Sequence, residues 1–249
     1  MSTSTNLDPS QADPPTGSVI DNPNAFIDGQ TLTQWVENYE RWTFQAPAQD
    51  SSGNLINTIN DPTGSVAAAL NSQDSQNSQG NQNSQGDQNS QGDQMYFITG
   101  APSGADRTFH VQFGESVLVP VTNAVDSEGP GIPPSITSFQ GSFADEVKQV
   151  LSDDLSSLGT GTVTLDGKTI TPLPVLNTGI FSAGVAEQGS VAQLVTGAQA
   201  GASLRTTGVA GYFVVLENLS PGSHTFTDSA VVGGQTTTHT DTIIVGAPA

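Results

Sequence analysis

Three imidazoles, His110, His224 and His239, are the only histidines of this 249-residue chain, and it has no cysteine. Any nucleophilic, general-base or metal chemistry must be built from these three, the carboxylates, the hydroxyls and the lysines Lys148 and Lys168. His239 and Asp241 stand two apart in an alternating strand pattern, so their side chains share a face. If that strand pairs with the one carrying His224, nitrogen and oxygen ligands converge, and His224, His239 and Asp241 form a candidate metal set. The plainer reading of the same residues is a threonine-rich surface strand that carries one His and one Asp.

A second candidate site lies in the Gly- and Pro-rich stretch DSEGPGIPP, which follows the apolar run Ser116 to Val121. Loops after strands commonly hold binding residues, and Asp126 and Glu128 are set apart as a carboxylate pair for ligand or cation binding. Two separated carboxylates beside an aromatic platform are also the equipment of a glycosidase. Trp35 or Trp42 would supply the platform. Calcium is the one cofactor such acids suggest, and the alternative is no cofactor at all. Both tryptophans fall at helical spacing, which equally describes core packing. The chain has no G-x-S-x-G or H-E-x-x-H motif.

Five basic residues, Arg41, Arg107, Lys148, Lys168 and Arg205, face 24 acidic ones, for a formal net charge of -19. That field repels phosphate backbones and argues against nucleic acid as a partner. No apolar run reaches the length of about 18 residues needed for a spanning helix, so no transmembrane segment is expected. MSTSTNLDPSQADPP shows no basic-then-apolar leader. Low lysine, abundant Thr, Ser, Gly and Asn, and no Cys nevertheless fit an extracellular or envelope-bound bacterial protein best.

The elements that must position these residues are mostly strands. Leu32, Trp35, Val36, Tyr39 and Trp42 trace one helical face, and Thr31 with Gln34 makes a capping box at its start. Met95 to Thr99 reads as a buried strand. Thr108 to Phe113 and Ser116 to Val121, around Gly114-Glu115, read as a hairpin. Ser142 opens a second helix, with Phe143, Val147, Val150, Leu151 and Leu155 inward and Asp145, Glu146, Asp153 and Asp154 on an exposed acidic face. Val163-Thr164-Leu165 and Lys168-Thr169-Ile170 flank Asp166-Gly167, a pair suited to a type I′ turn. Residues 174 to 209 leave short strands, a short helix near Val191 to Val195, or a long loop open. GYFVVLENLSPGSHTFT at 211 to 227 reads as strand, turn, strand at a sandwich edge, and Thr236 to Val245 as the last strand, paired with the one before it.

These elements imply an all-β fold, a β-sandwich of Ig-like or jelly-roll-like kind, with one or two accessory helices. Residues 1–28 read as a disordered or extended arm and 29–70 as a helix and turn packed on the core. Residues 71–94 are a low-complexity Ser/Gln/Asn/Gly repeat loop, and 95–249 the sandwich core. The repeat has a period of six, SQGNQN, SQGDQN, SQGDQ. It lacks the inward apolar residue of a solenoid rung.

DGQTLTQWVENYERW at 28–42, NDPTG at 60–64, QMYFITG at 94–100, RTFHVQFGESVLVPVTN at 107–123, LDGKTI at 165–170 and GYFVVLENLSPGSHTF at 211–226 together resemble an uncharacterised family of exported bacterial β-rich proteins. The resemblance implies an exported context and a β-rich core, but no activity or catalytic residue. Members of that family carry cysteines where this chain has Ala67 and Phe109, and the repeat looks like an insertion between the turn and the strand that follows it. The resulting expectation is a non-enzymatic exported or cell-surface binding or structural module. Its partners would be a glycan, extracellular matrix or another copy of itself. The alternatives are a glycan-active hydrolase using the loop carboxylates and a calcium-supported adhesion or matrix protein.

Overall fold

A computed structural model describes residues 17–27, 29–47, 95–98, 106–127, 142–204, 207–232 and 235–247. Most of the N-terminal arm, the NDPTG turn, the 71–94 repeat and Glu128 lie outside the described residues. The fold is all-β with few helices, as its alternating segments imply. In chain order it runs β1 (Ser18–Val19), β2 (Phe26–Ile27), β3 (Gln30–Thr31), α1 (Leu32–Gln45), β4 (Met95–Phe97), β5 (Asp106–Val111) and β6 (Ser116–Ser127). Then come α2 (Phe143–Ser157), β7 (Leu158–Leu165), β8 (Lys168–Ile170), β9 (Leu173–Val175), β10 (Gly184–Val185) and α3 (Val191–Thr196). The chain closes with β11 (Ser203–Leu204), β12 (Thr207–Glu217), β13 (Gly222–Val232) and β14 (Gln235–Val245).

Two five-stranded sheets carry the architecture. The first has the order β1-β12-β6-β4, with β9 also paired to β12; the second has the order β5-β14-β13-β7-β8. Each is antiparallel except for one parallel pair, β4 with β6 and β5 with β14. Neighbouring residues of β4 show how the layers stack. Phe97 meets Trp35, Tyr39 and Trp42 of α1, while Tyr96 points the other way, its ring 6.5 Å from Phe109 of β5. The first sheet is therefore covered by α1 on one face and by the second sheet on the other. That explains why Val117, Leu118 and Val119 are all buried, since a strand covered on both faces reads as a continuous apolar run.

Helix α1 begins where its sequence dictates. Thr31 Oγ1 accepts from Gln34 N and the Gln34 side chain accepts from Thr31 N, which completes the capping box. Both tryptophans are buried, and Trp35 Nε1 donates to Ile27 O at 2.8 Å. Helix α2 starts from Ser142, whose Oγ accepts from Asp145 N and donates to Asp145 Oδ2. It buries Val147 and Leu151 against β6 and β12, with Ala210 and Ala124 beneath them. A Cβ on Gly208 would meet Val147, so this close helix-on-sheet packing requires glycine there. Helix α3 is the short helix near Val191 to Val195 that residues 174 to 209 left open; Ser190 caps it and Gly197, at φ 67°, ends it. No described helix is long and apolar enough to cross a membrane.

Two expected hairpins are instead sheet-to-sheet crossings. β5 pairs with β14 and β6 with β12 and β4, so the turn at Gly114 carries the chain from the second sheet to the first. Likewise β12 and β13 lie in different sheets, and Asn218 to Pro221 is a crossing between them. β12 is not an edge strand, because β6 flanks it on one side and β1 and β9 on the other. Turn residues mark a change of direction; burial on both faces of β6 and β12 decides that each strand joins an inner position. The β7–β8 hairpin does form at Asp166-Gly167, with φ 50° and 75° as a type I′ turn requires. β13 and β14 pair without a register break from Gly222↔Val245 to Val232↔Gln235.

Candidate functional site

The Asp166 side chain stands at the β7–β8 turn, beside the first residues of β13. Its Oδ1 accepts from Thr225 N at 2.8 Å, and its Oδ2 lies 2.8 Å from His224 Nδ1. On the far side of the ring, Nε2 lies 2.8 Å from the Ser220 carbonyl oxygen and 3.4 Å from Ser220 Oγ. Serine, histidine and aspartate thus stand in the order of a nucleophilic triad.

The hydrogen-bond directions decide what this arrangement can do. A carbonyl oxygen only accepts, so Nε2 carries a proton and donates to it; the lone pair that a general base needs is spent. Burial acts to raise the Asp166 pKa, but the hydrogen bonds from His224 and Thr225 N, with the charges of His224 and Lys168, outweigh it and hold the group below the usual carboxylate range. The Asp166 carboxylate faces Nδ1 on the other side of the ring. Ser220 and His224 are both buried. The group fastens three segments: the β12–β13 crossing, the β7–β8 turn and the start of β13.

A second polar cluster lies on the inner face of the second sheet. Arg107 of β5 binds Asp241 of β14 through two parallel bonds, Nε to Oδ1 at 2.9 Å and Nη2 to Oδ2 at 2.7 Å. The side chains are 2% and 0% exposed, so the charges neutralise each other in the protein interior. The guanidinium carbon also sits 4.9 Å from the centre of the Phe109 ring. Asp228 of β13 faces His239 across the ladder. Burial first, and the Asp241 charge second, push the Asp228 carboxyl up to about 7 against the opposing pull of Arg107.

The register does not gather His224, His239 and Asp241 into one ligand set. His224 pairs with Ile243 and His239 with Asp228, so the histidines are offset by four residues, about 13 Å along the strand. Asp241 is already engaged by Arg107. Among the described residues, no group of three or more His, Cys, Asp or Glu is placed to hold a metal ion.

The acidic-loop site changes in the same way. Asp126 belongs to β6, which continues through Ser127, and it is buried opposite Gly208 rather than carried on a loop. Glu128 lies outside the described residues. Trp35 and Trp42 are enclosed between α1 and the first sheet, which leaves neither as an exposed stacking surface. On α2, Asp145 and Asp153 are exposed as expected, but Glu146 is buried.

Two buried acids, Asp228 and Glu40, and the Arg107 partner of Asp241 escaped the sequence reading. Arg107 shares strand parity with Phe109 and Val111, and Asp241 with Ile243 and Val245, so a buried ion pair was the signal to look for in a chain with five basic residues. Asp228 alternates with Phe226 and Ala230 on the buried side of β13. Glu40 is buried on α1, and burial alone pushes its carboxyl up to about 7.

No family model, curated protein or solved structure matches this chain.

Proposed function

We propose that the protein is a non-enzymatic exported or cell-surface module that binds or builds rather than transforms. The observation that carries this reading is the use made of Ser220, His224 and Asp166. The arrangement nearest to a catalytic triad among the described residues is spent on internal hydrogen bonds, with Ser220 and His224 buried. The paired Arg107 and Asp241 follow the same pattern, with strong polar groups turned inward to lock strands. The acidic, lysine-poor and cysteine-free composition and the resemblance to exported bacterial proteins support an exported or cell-surface location. A glycan, extracellular matrix or another copy is the partner class this reading favours.

The test is to fractionate the source cells into medium, envelope and cytosol, and to probe each fraction with an antibody against the intact protein. Recovery in the medium or envelope is the expected result. Recovery in the cytosol alone would overturn the reading.

A further inference from the structure

Asp228 and His239 face each other across the β13–β14 ladder, 6% and 5% exposed, on the inner side of the second sheet. The next row of that face holds Phe226, Asp241 and Arg107. Arg107 is bound to Asp241 through two hydrogen bonds, so the charges of that pair cancel and none is left over to balance Asp228. With one proton between them, on the carboxyl or on the ring, Asp228 and His239 keep the cluster neutral. Without it a net negative charge stands buried beside Phe226 and Val163. Burial first, then the Asp241 charge, raises the Asp228 carboxyl to about 7 against the pull of Arg107. The other buried titratable groups of the elements around it are His224 further down β13, Tyr96 of β4, Asp126 of β6 and Glu146 of α2, while β7 brings Val163 and Leu165.

The ladder breaks beside this pair. Between Asp228↔Val163 and Ala230↔Thr160, β7 carries Gly161 and Thr162 against Ser229 alone, which makes a β-bulge. The bulged backbone is held by the Ser229 hydroxyl, which accepts from Thr162 N at 2.8 Å and donates to Thr162 O at 3.2 Å. A Cβ on Gly161 would meet Ser229, so the two strands approach there as only glycine permits. Beyond the bulge β7 has only residues 158–160, paired with 230–232, and α2 runs directly into them. Helix and strand stub together form an arm jointed at Gly161. Its inner face, Val147 and Leu151, lies on Ala124 and Ala210.

We propose that Asp228, His239 and this bulge form a pH-sensitive latch on the arm: the proton of the pair keeps it closed, and loss of that proton opens it at the bulge. An ionised Asp228 needs water, and the bulge is the nearest break in the ladder through which water reaches it. Opening bares Val147, Leu151, Ala124 and Ala210, an apolar surface that the closed protein hides. Asp228 binds its proton more tightly closed than open. Closure is therefore fully favoured below the open-state value near pH 4, and that advantage is lost as pH rises through about 7. The latch goes beyond the binding-module reading and does not depend on where the protein resides, so its failure leaves that reading standing.

The test is amide hydrogen exchange of the intact protein, followed segment by segment at closely spaced pH values and corrected for the base catalysis of exchange itself. Protection of α2 and of residues 158–162 should fall about ten-fold per pH unit between about pH 5 and 7, the slope of one proton, and level off above that. At each pH these amides should be less protected than those of 214–216 in β12, which the arm leaves in place when it opens. Asp228→Asn should flatten the slope and Glu40→Gln should keep it. Ser229→Ala should lower protection of the arm about ten-fold at every pH. Circular dichroism confirms that each variant folds.

A flat profile in the parent would overturn the latch, as would a slope that Asp228→Asn retains. Arm and β12 amides exchanging at one common level would show the molecule opening only as a whole, and overturn it too. If Asp228→Asn does not fold, Ser229→Ala decides: a loss confined to the arm supports the latch, and a loss spread equally over both sheets refutes it.

Discussion

Arg107 and Asp241 meet across the parallel β5–β14 pair through two hydrogen bonds of 2.9 and 2.7 Å, sealed from solvent. The pair fixes β5 to the second sheet, although the turn at Gly114 leads the chain straight into the first. Arg107→Met leaves the Asp241 carboxylate buried and uncompensated, and should lower unfolding free energy by about 3–5 kcal/mol in urea titrations. The double change Arg107→Met with Asp241→Leu should recover most of that loss, because removing both charges also removes their desolvation cost. A double variant no more stable than the single one would show that the pair is not the source of the effect.

Asp228 and Glu40 both have carboxyls pushed up to about 7 by burial. Each therefore binds its proton more tightly in the folded state than in the unfolded one. The stability this contributes is fully present below the unfolded values near pH 4, and is lost as pH rises through about 7. Stability should fall across that window by an amount of order 2–4 kcal/mol for each group. Asp228→Asn and Glu40→Gln should flatten the profile, and urea midpoints measured at closely spaced pH values would show it. A wild-type midpoint that rises steadily from pH 4 to 7 would count against both assignments.

Asp166 follows the opposite sign. Its folded pKa lies below the usual carboxylate range, so the stability it adds is present above the unfolded value and disappears as pH falls through the folded one. Asp166→Asn should remove that acid-side contribution. It should also speed amide exchange at Thr225, whose N–H the carboxylate holds.

Gly208 lies where α2 crosses β12, and a Cβ there would meet Val147 and Leu151. Gly208→Ala should cost about 1–3 kcal/mol through overpacking. Pairing it with Val147→Ala should recover part of the loss. Equal stability of the single variant and the parent in thermal unfolding would show that α2 can move aside.

The elements were legible where local chemistry determines them. Thr31 and Gln34 announced the start of α1, Asp166-Gly167 the β7–β8 turn, and the alternation from Thr236 to Val245 the last strand. Pairing was less legible. Ser-Pro-Gly at 220–222 says that the chain turns but not that β13 joins another sheet, a choice made by what covers Val214, Val215 and Leu216 on both faces. Asp126 read as a loop acid because Asn123 and Asp126 give a contrary strand signal, which the packing of α2 over Ala124 and Ala210 overrides. The triad-like group was hidden because Asp166 and His224 are 58 residues apart, and only the sheet order brings them together.

The account rests most directly on His224 being a structural tie. The measurement is ester hydrolysis beside urea unfolding for the parent, Ser220→Ala and His224→Ala. The account predicts background hydrolysis in all three, a small stability change in Ser220→Ala, and a loss of about 1.5–3 kcal/mol in His224→Ala. Turnover by the parent that vanishes in a fully folded Ser220→Ala would contradict it.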